Sequence, residues 1–335
     1  MSENDVKDAV APGKELKFDP QNPVEYKLID IHPPKTVENI VFIVDGGIGK
    51  NIMATVVIRN IKKKYPDKKL IVVGGYADVF RHNPHIHRFY RAGDTQHFHE
   101  DYIDGNRSIV LKAEPYYHMD YLHSKDRHIT ELWCEMLGLP YDNPIPEIYL
   151  TDKEKREAVE FQRGTGGPTM ILQISGGLPP NENGQKQFQM FIRDLDVKVA
   201  RNIVDEVKGQ YTILQLRAKT QPGWEDVKAP ESTLRQALQF IYGAQKFLLI
   251  DSFAQHAAAA FGKKAVVCWG ATNPKLLGYE GHINLTREKA CPTPFCDRPN
   301  SFLFDQVTNN LQWQCPHGEA CTRHDEKEIL SALEK

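Results

Sequence analysis

Three polar residues that follow an apolar run could bind an anion. Asp251, Ser252 and His256 come directly after KFLLI (246–250) and lead into four alanines and a glycine. The apolar run predicts a strand, and DSFAQHAAAAFG (251–262) predicts a short helix that ends at its glycine. The start of such a helix offers N–H groups to an anion, and His256 shares a helical face with Ser252. Simple N-capping by Asp251 or Ser252 is the plain alternative.

The glycine turn GGIGK (46–50) is a second candidate anion site. It links NIVFIV (39–44), which predicts a buried strand, to a predicted helix at 51–64. Glycines allow the backbone to approach a ligand closely. The turn is not a Walker loop, because Val44 and Asn51 stand where the first glycine and the magnesium-binding hydroxyl should be. The dinucleotide fingerprint is also incomplete, so an ordinary tight turn remains the alternative.

Four loops with polar or glycine residues follow predicted strands. They are residues 46–50, 175–177, 251–256 and 270–274. In open α/β sheets, ligands bind beyond the carboxyl ends of the strands. We therefore expect all four loops to be able to face one cleft.

The elements that must position these loops alternate between strand and helix. The predicted strands cover 39–44, 68–75, 107–114, 169–177, 211–218, 246–250 and 264–270. The predicted helices cover 51–64, 128–140, 151–168, 196–208, 232–242 and 251–262. This rhythm indicates parallel sheets covered by helices. The Gly/Pro break near residue 168 separates two doubly wound α/β halves of similar size.

Composition excludes several classes of protein. The chain has 335 residues and a net charge of -2, so there is no global attraction to nucleic acid or to anionic membranes. No apolar run approaches the ~20 residues of a membrane helix, and the polar start lacks a signal core. We expect a cytoplasmic protein without a transmembrane segment.

Residues 251–274 resemble the donor-site signature of glycosyltransferase family 9, the ADP-heptose:lipopolysaccharide heptosyltransferases and their relatives. The matching pattern is DSxxxHxAAAxGxxxVxxWGxTNP. The resemblance extends over most of the chain and includes GGIG…IKKKYPDKKLIVV (46–73), HITELWCEMLGLP (128–140) and LQISGG (172–177). It implies the GT-B architecture, in which two Rossmann-like domains face each other across a central cleft.

The resemblance also implies a function and a domain organisation. The family members invert the anomeric carbon and need no catalytic metal, so we expect transfer of a sugar from a nucleotide-diphosphate sugar to a hydroxyl acceptor. An extension (1–36) would precede an N-terminal acceptor domain (37–160) and a C-terminal donor domain (161–322). The final helix (323–335) would pack back on the N-terminal domain.

The donor site follows from the resemblance, residue by residue. Its expected members are Gly46, Gly47, Gly49, Ser175, Gly176, Lys186, Arg193, Asp251, Ser252, His256, Thr272 and Asn273. A nucleoside diphosphate develops negative charge as it leaves. Without a metal, helix N-termini and a basic residue must stabilise that charge. Lys186 and Arg193 are both candidates for the basic residue, and each could instead be a solvated surface charge.

The general base is where this sequence departs from the family. The family turn usually carries Gly-Asp, and that Asp is the proposed base, but Lys50 stands here. Asp45 could serve instead, or a group from the stretch that contains Glu114, His118 and Asp120. We favour that stretch, because its aromatic and histidine residues at a strand end suit sugar stacking and proton transfer. Alternatively, Lys50 binds an acidic acceptor or the donor phosphate, and no base is present.

Two other functions compete with the transferase. The chain could be a catalytically inactive protein that binds sugar nucleotides or glycans with the same fold, as Lys50 would suggest. An oxidoreductase is disfavoured, because the dinucleotide fingerprint is broken and only Asp67 lies near the position expected for a ribose ligand. The resemblance implies a glycan acceptor from lipopolysaccharide, and another hydroxyl-bearing molecule or a modified nucleic-acid base remains an alternative.

Four late cysteines could hold a structural zinc ion. Cys291 and Cys296 are separated by four residues, and Cys315 and Cys321 by five. The second gap is just longer than usual for zinc sites, so free thiols or local disulfides are the alternatives. No cofactor is expected for catalysis. The histidine-rich stretch 81–102 lacks metal-site spacing and predicts a surface loop.

Overall fold

The computed structural model describes residues 37–104, 108–122, 126–176, 193–296 and 315–335. The predicted N-terminal extension and Lys186 lie outside these ranges. Within them, no helix combines the length and the apolar character needed to cross a membrane.

The first sheet has four parallel strands in the order β3-β2-β1-β4. The strands are β1 (Asn39–Ile43), β2 (Lys69–Gly74), β3 (Arg88–Arg91) and β4 (Ser108–Leu111). The apolar runs of β1 and β2 lie side by side, with Val41 opposite Ile71. Both residues are fully buried, as expected for central strands covered on both faces.

Helices cover this sheet and lead to the second half. They are α1 (Ile48–Lys64), α2 (Ala77–Phe80), α3 (Met119–Leu122), α4 (Ile129–Met136) and α5 (Asp152–Gly164), with a π-helix at His99–Ile103 and a 3-10 helix at Pro115–Tyr117. The glycine turn belongs partly to α1, which begins at Ile48 and ends in three lysines. Those lysines complement the negative end of the helix dipole.

The second sheet has five parallel strands in the order β6-β5-β7-β8-β9. They are β5 (Thr169–Leu172), β6 (Thr212–Gln215), β7 (Lys246–Ile250), β8 (Val266–Cys268) and β9 (Ile283–Leu285). The helices are α6 (Val197–Val207), α7 (Leu234–Gly243), α8 (Phe253–Ala260), α9 (Pro274–Leu277) and α10 (Glu326–Glu334), with 3-10 helices at Glu288–Ala290 and Ala320–Thr322.

The C-terminal helix α10 packs on the second half, not on the N-terminal half as predicted. Ile329, Ala332 and Leu333 are buried in the core that covers the second sheet. The chain is already attached to this half before α10 begins, because Nε2 of His324 lies 3.1 Å from the carbonyl oxygen of Trp269. The short segment that follows therefore folds onto the nearest apolar surface.

Strand β3 was not predicted, because it lies inside the stretch 81–102 that we expected to be a surface loop. The strand has only four residues, and arginines stand at both ends. Tyr90 is its buried member and packs against Phe98 and Tyr102. Packing between these aromatic side chains therefore stabilises the strand. The sequence itself lacks the apolar run from which a strand would be predicted.

One buried arginine of α7 joins the two halves. Arg235 donates hydrogen bonds to both carboxylate oxygens of Glu154 at 2.6 and 2.8 Å. It also donates to the carbonyl oxygens of Asp78 at 2.9 Å and Tyr149 at 2.6 Å. Because the guanidinium presents several donors in a fixed plane, one side chain can hold three segments together.

Candidate active site

The starts of α1 and α8 touch at the carboxyl ends of the two sheets. A Cβ atom placed on Gly49 would lie 3.0 Å from Cδ2 of His256 and 3.7 Å from Cα of Phe253. Gly49 is the second residue of α1, and Phe253 is the first residue of α8. The first turn of one helix from each half therefore reaches the same point.

Both of these helix starts lack a side-chain cap. The N-cap residues are Gly47 and Ser252, and neither first turn contains an acidic residue. The other described helices of eight or more residues are capped by a side chain, namely His128, Thr151, Asp196, Thr233 and Asp325. The N–H groups of a helix's first turn have no partner within the helix. Two such sets of donors converge here, which is the physical basis of an anion site.

The glycine loop after β5 lies beside the start of α8. A Cβ atom on Gly176 would lie 3.4 Å from Oγ of Ser252. The backbone N–H of Gly176 donates to Asp194 at 3.0 Å, and Ser175 is buried. The structure thus brings Ser175, Gly176 and Ser252 together.

Asp251 is buried behind the start of α8. Its Oδ2 atom lies 3.8 Å from Nη1 of Arg193. Burial raises the pKa of Asp251, and the charge of Arg193 and the hydroxyl of Thr272 oppose that rise. Arg193, one of the two predicted basic residues, thus lies beside Asp251, whereas Lys186 lies outside the described residues. Asn273 accepts a hydrogen bond from the backbone of Lys275 at 3.0 Å and so caps α9.

His256 is buried at the start of α8. The side chain is only 3% exposed, and Nδ1 lies 2.8 Å from the hydroxyl of Tyr279. Burial lowers the pKa of His256 well below its ordinary value, and the neighbouring His128, His282 and Arg193 add to this. The imidazole is therefore neutral near pH 7, and it lies between α8 and Gly49.

Lys50 is buried between two carboxylates. Its Nζ atom lies 2.7 Å from Asp45 and 2.6 Å from Glu114, and the side chain is 6% exposed. The ammonium also lies 5.5 Å from the ring centre of Trp133 and 5.9 Å from that of Tyr116. Three of the five predicted catalytic residues thus form one cluster at the start of α1.

The two carboxylates of this cluster differ in environment. Asp45 is 57% exposed and Glu114 is 28% exposed. Partial burial alone would raise the pKa of Asp45, but hydrogen bonding and charge from Lys50, with the charge of Lys112, lower it below the ordinary value. A carboxylate with a lowered pKa is a weaker proton acceptor, which disfavours Asp45 as a base.

The other two predicted catalytic residues belong to a separate network. Nδ1 of His118 accepts a hydrogen bond from the backbone N–H of Asp120 at 3.1 Å. The Asp120 carboxylate accepts from Arg127 at 2.7 Å, and Nε2 of His118 lies 3.7 Å from Glu135. No hydrogen bond or ion pair joins either residue to Lys50 in the described part of the chain, so these groups organise the chain between α3 and α4.

Asn51 is a site residue that sequence reasoning missed. Its buried amide donates to the carbonyl oxygens of Gly46 at 3.3 Å and Gly47 at 3.0 Å. These bonds hold the turn, in which Gly46 has a φ of 84°. A Cβ atom on Gly46 would also lie 2.9 Å from Cδ of Lys50. The signal in the sequence is an amide directly after the turn, at the position where a Walker loop has its hydroxyl.

The four late cysteines share one neighbourhood beside the loop after β8. Cys321 is buried and packs against Ala271 and Cys315. Burial raises the pKa of Cys321 to about 12, and the nearby Cys296, Cys291 and Cys315 thiols contribute. Four thiols would suit zinc or iron. However, no group of three or more metal-binding side chains has the arrangement of a metal site within the described ranges, so structural zinc stays a prediction.

Comparisons with known proteins identify similar structures only. No model of a protein family matches the chain, and no curated protein matches it either. The glycosyltransferase family 9 protein from Veillonella parvula is 15% identical and has a TM-score of 0.62, with coverage of 90% of this chain and 97% of that one.

Two structures from E. coli are similar as well. The ADP-heptose lipopolysaccharide heptosyltransferase II is 15% identical, with a TM-score of 0.52 and coverage of 82% of this chain and 98% of that one. The dodecameric, iron-containing glycosyltransferase TibC is 11% identical and has a TM-score of 0.61. The match covers 89% of this chain and 77% of that one. These likenesses establish the fold, so the predicted resemblance to family 9 and its GT-B architecture are confirmed at the level of fold.

Proposed function

We propose that this protein is a glycosyltransferase that moves a sugar from a nucleoside-diphosphate sugar to a hydroxyl acceptor, with inversion and without a catalytic metal. One observation carries the proposal. The uncapped starts of α1 and α8 meet between the two sheets, with Gly49 against His256 and Phe253. A diphosphate bound there would receive N–H donors from both halves.

The leaving group determines what the two helix starts and Arg193 must do. As the bond between the anomeric carbon and the phosphate oxygen breaks, the electron pair stays on the diphosphate. The first turns of α1 and α8 stabilise that charge through N–H groups that are already oriented. Arg193, held beside Asp251, supplies the positive charge. In this proposal, fixed donors and one cation stabilise the charge of the leaving group without a catalytic metal ion.

The acceptor hydroxyl needs a base on the first half. We assign this role to Glu114, whose Oε2 atom is held by Lys50 at 2.6 Å and whose Oε1 atom accepts from the backbone of Tyr116 at 3.4 Å. The acceptor oxygen attacks the anomeric carbon on the face opposite the phosphate, and its proton passes to Glu114. The configuration at that carbon is therefore inverted. Lys50 orients the base in this scheme and does not itself accept the proton.

The similar structures support a nucleotide sugar as donor. Heptosyltransferase II is named for ADP-heptose, so an adenine nucleotide is the first donor to test. A thermal-shift screen of ADP-, GDP-, UDP- and TDP-sugars tests the proposal, because a ligand at about 100 times its Kd adds ~2.7 kcal/mol of stability. We expect a rise in Tm of several degrees for one nucleotide class.

A turnover assay with the donor found in the screen separates the transferase from the alternative binding protein. Lys50 in place of the family's aspartate is the observation that favours a catalytically inactive binder. Slow release of free sugar from the stabilising donor, without an acceptor, would support the enzyme. Stabilisation by a nucleotide sugar without turnover, whichever acceptor is added, would support the inactive binding protein. If no nucleotide sugar stabilises the protein, both the transferase and the binding protein are refuted.

Replacing the base should lower turnover and spare donor binding. For Glu114→Gln we expect kcat to fall by about 10² to 10⁴, the usual contribution of a general base. The amide oxygen can still accept a hydrogen bond from Lys50, so Kd for the nucleotide should stay within about twofold. Single-turnover kinetics and calorimetric titration would measure the two quantities.

Asp45→Asn is the matched variant, because it removes the other carboxylate that contacts Lys50. We expect a fall in kcat of about tenfold or less, since the lowered pKa of Asp45 makes that carboxylate a weak base. A larger loss in Asp45→Asn than in Glu114→Gln would transfer the role of base to Asp45.

A further inference from the structure

Tyr279 is a buried residue whose hydroxyl is directed at the donor-site histidine. It lies between α9 and β9 and is 2% exposed. Its hydroxyl is 2.8 Å from Nδ1 of His256, and the two rings are perpendicular with centroids 5.7 Å apart. No other atom of the described part of the chain forms a hydrogen bond with this hydroxyl. Removing that partner would leave a buried polar group unsatisfied.

The position of the proton in this hydrogen bond follows from what each group can do. Burial raises the pKa of Tyr279 well above its ordinary value, so the phenol keeps its proton. A buried hydroxyl with one partner satisfies its O–H by donating it. Nδ1 of His256 is then the acceptor. Because the imidazole is neutral, its single N–H must be on Nε2.

Gln255 does not change this assignment. Its Nε2 atom is 3.2 Å from Nδ1 and 3.3 Å from Nε2 of His256. Nearly equal distances to both ring nitrogens place the amide over the ring face, away from the in-plane lone pair. The same amide nitrogen donates to the carbonyl oxygen of Leu277 at 2.9 Å. Gln255 therefore packs on the imidazole and leaves its Nε2 edge to another group.

The Nε2 edge of His256 faces the start of α1. A Cβ atom on Gly49 would lie 3.3 Å from Nε2, which places this nitrogen at the first turn of that helix. No oxygen atom of the described residues accepts a hydrogen bond from Nε2. A buried N–H without an acceptor therefore lies at the point where the N–H groups of α1 and α8 converge.

We propose that Tyr279 is a positioning residue that fixes His256 as the Nε2–H tautomer, so that a neutral imidazole donates a hydrogen bond to the donor diphosphate. The proposal rests on the proposed function for the identity of the ligand. It makes His256 a hydrogen-bond donor and not a source of positive charge or a base. Tyr279 acts through His256 and does not contact the sugar.

Nuclear magnetic resonance of protein labelled with ¹⁵N-histidine tests the tautomer directly, without activity. The chain has 13 histidines, so His256→Gln identifies the signal of interest. We expect a protonated Nε2 and an unprotonated Nδ1 in the wild type at pH 7.5. In Tyr279→Phe we expect a mixture of tautomers and about tenfold weaker binding of pyrophosphate and ADP, the usual effect of one lost hydrogen bond.

Tyr141→Phe is the matched control, because it removes a phenol hydroxyl that contacts Thr130 at 3.3 Å and not His256. We expect it to keep the tautomer and the affinities of the wild type. A proton on Nδ1 in the wild type would overturn the inference, whether or not Tyr279→Phe folds. So would an unchanged tautomer and unchanged affinity in a folded Tyr279→Phe. If the tautomer is as expected but neither ADP nor pyrophosphate binds the wild type, the proposed function fails, and the ligand assigned to His256 fails with it.

Discussion

Gly47→Asp should stabilise the folded protein and weaken its binding of nucleotides. Gly47 is the N-cap of α1, its φ of -76° suits any residue, and a Cβ atom there would meet nothing within 4 Å. Aspartate is a better N-cap than glycine and also complements the helix dipole, so we expect a gain of up to about 1 kcal/mol in unfolding free energy. The same carboxylate would occupy the N–H groups that we assign to the diphosphate and would repel it.

The expected loss of affinity for ADP and pyrophosphate is about 10- to 100-fold, from like charges a few ångströms apart near the protein surface. Urea denaturation and calorimetric titration on the same preparation would measure both effects. Thr233→Asp is the matched control, because Thr233 is the N-cap of α7 and already caps its helix. It adds the same charge and should leave affinity unchanged. Equal affinity in Gly47→Asp and the wild type would remove the start of α1 from the proposed site.

Lys50→Met should destabilise the protein and abolish most transfer activity. The ammonium is buried, while its two carboxylate partners are partly exposed. Removal of one member of a fully buried ion pair costs roughly 3–5 kcal/mol, and partial exposure of the partners reduces this to about 2 kcal/mol here. Glu114 would also lose the contact that orients it, so we expect kcat to fall by about 10² or more.

Lys63→Met offers a control on the same helix. Lys63 is about half exposed and contacts Asp142 at the surface, so its loss should cost at most ~1 kcal/mol and leave kcat unchanged. The double variant Lys50→Met, Glu114→Gln should recover part of the stability lost in Lys50→Met, because one uncompensated charge is removed. If Lys50→Met unfolds at the same urea concentration as the wild type, the ion pairs of Lys50 with Asp45 and Glu114 do not stabilise the folded protein, and the prediction is wrong.

The sequence predicted the elements that have strong local patterns. β1, β7 and α1 follow from apolar runs and helical spacing, and their predicted and observed bounds differ by three residues at most. β3 and β9 are four and three residues long, and neither forms an apolar run. Their pairing with β2 and β8 decides their conformation, and pairing with a distant strand leaves little trace in a short segment.

The site was predictable where a loop follows a strand, since parallel strands bring those loops to one edge. Contacts between distant residues were not predictable in the same way. Glu114 is 64 positions from Lys50, and Tyr279 is 23 positions from His256. No spacing rule connects such pairs. His118 and Asp120 lie within six positions of Glu114, yet the chain turns them towards Arg127 and Glu135.

The bonds of Arg235 restrict how the two lobes could move. Its guanidinium holds Glu154 and the carbonyl oxygens of Asp78 and Tyr149, close to where the chain passes from one lobe to the other. Any separation of Gly49 from His256 that preserves these bonds must be a rotation about the region of Arg235. A small rotation there would produce a larger displacement at the edge of the two lobes farthest from Arg235. Substrate could then enter at that edge while the bonds of Arg235 remain intact.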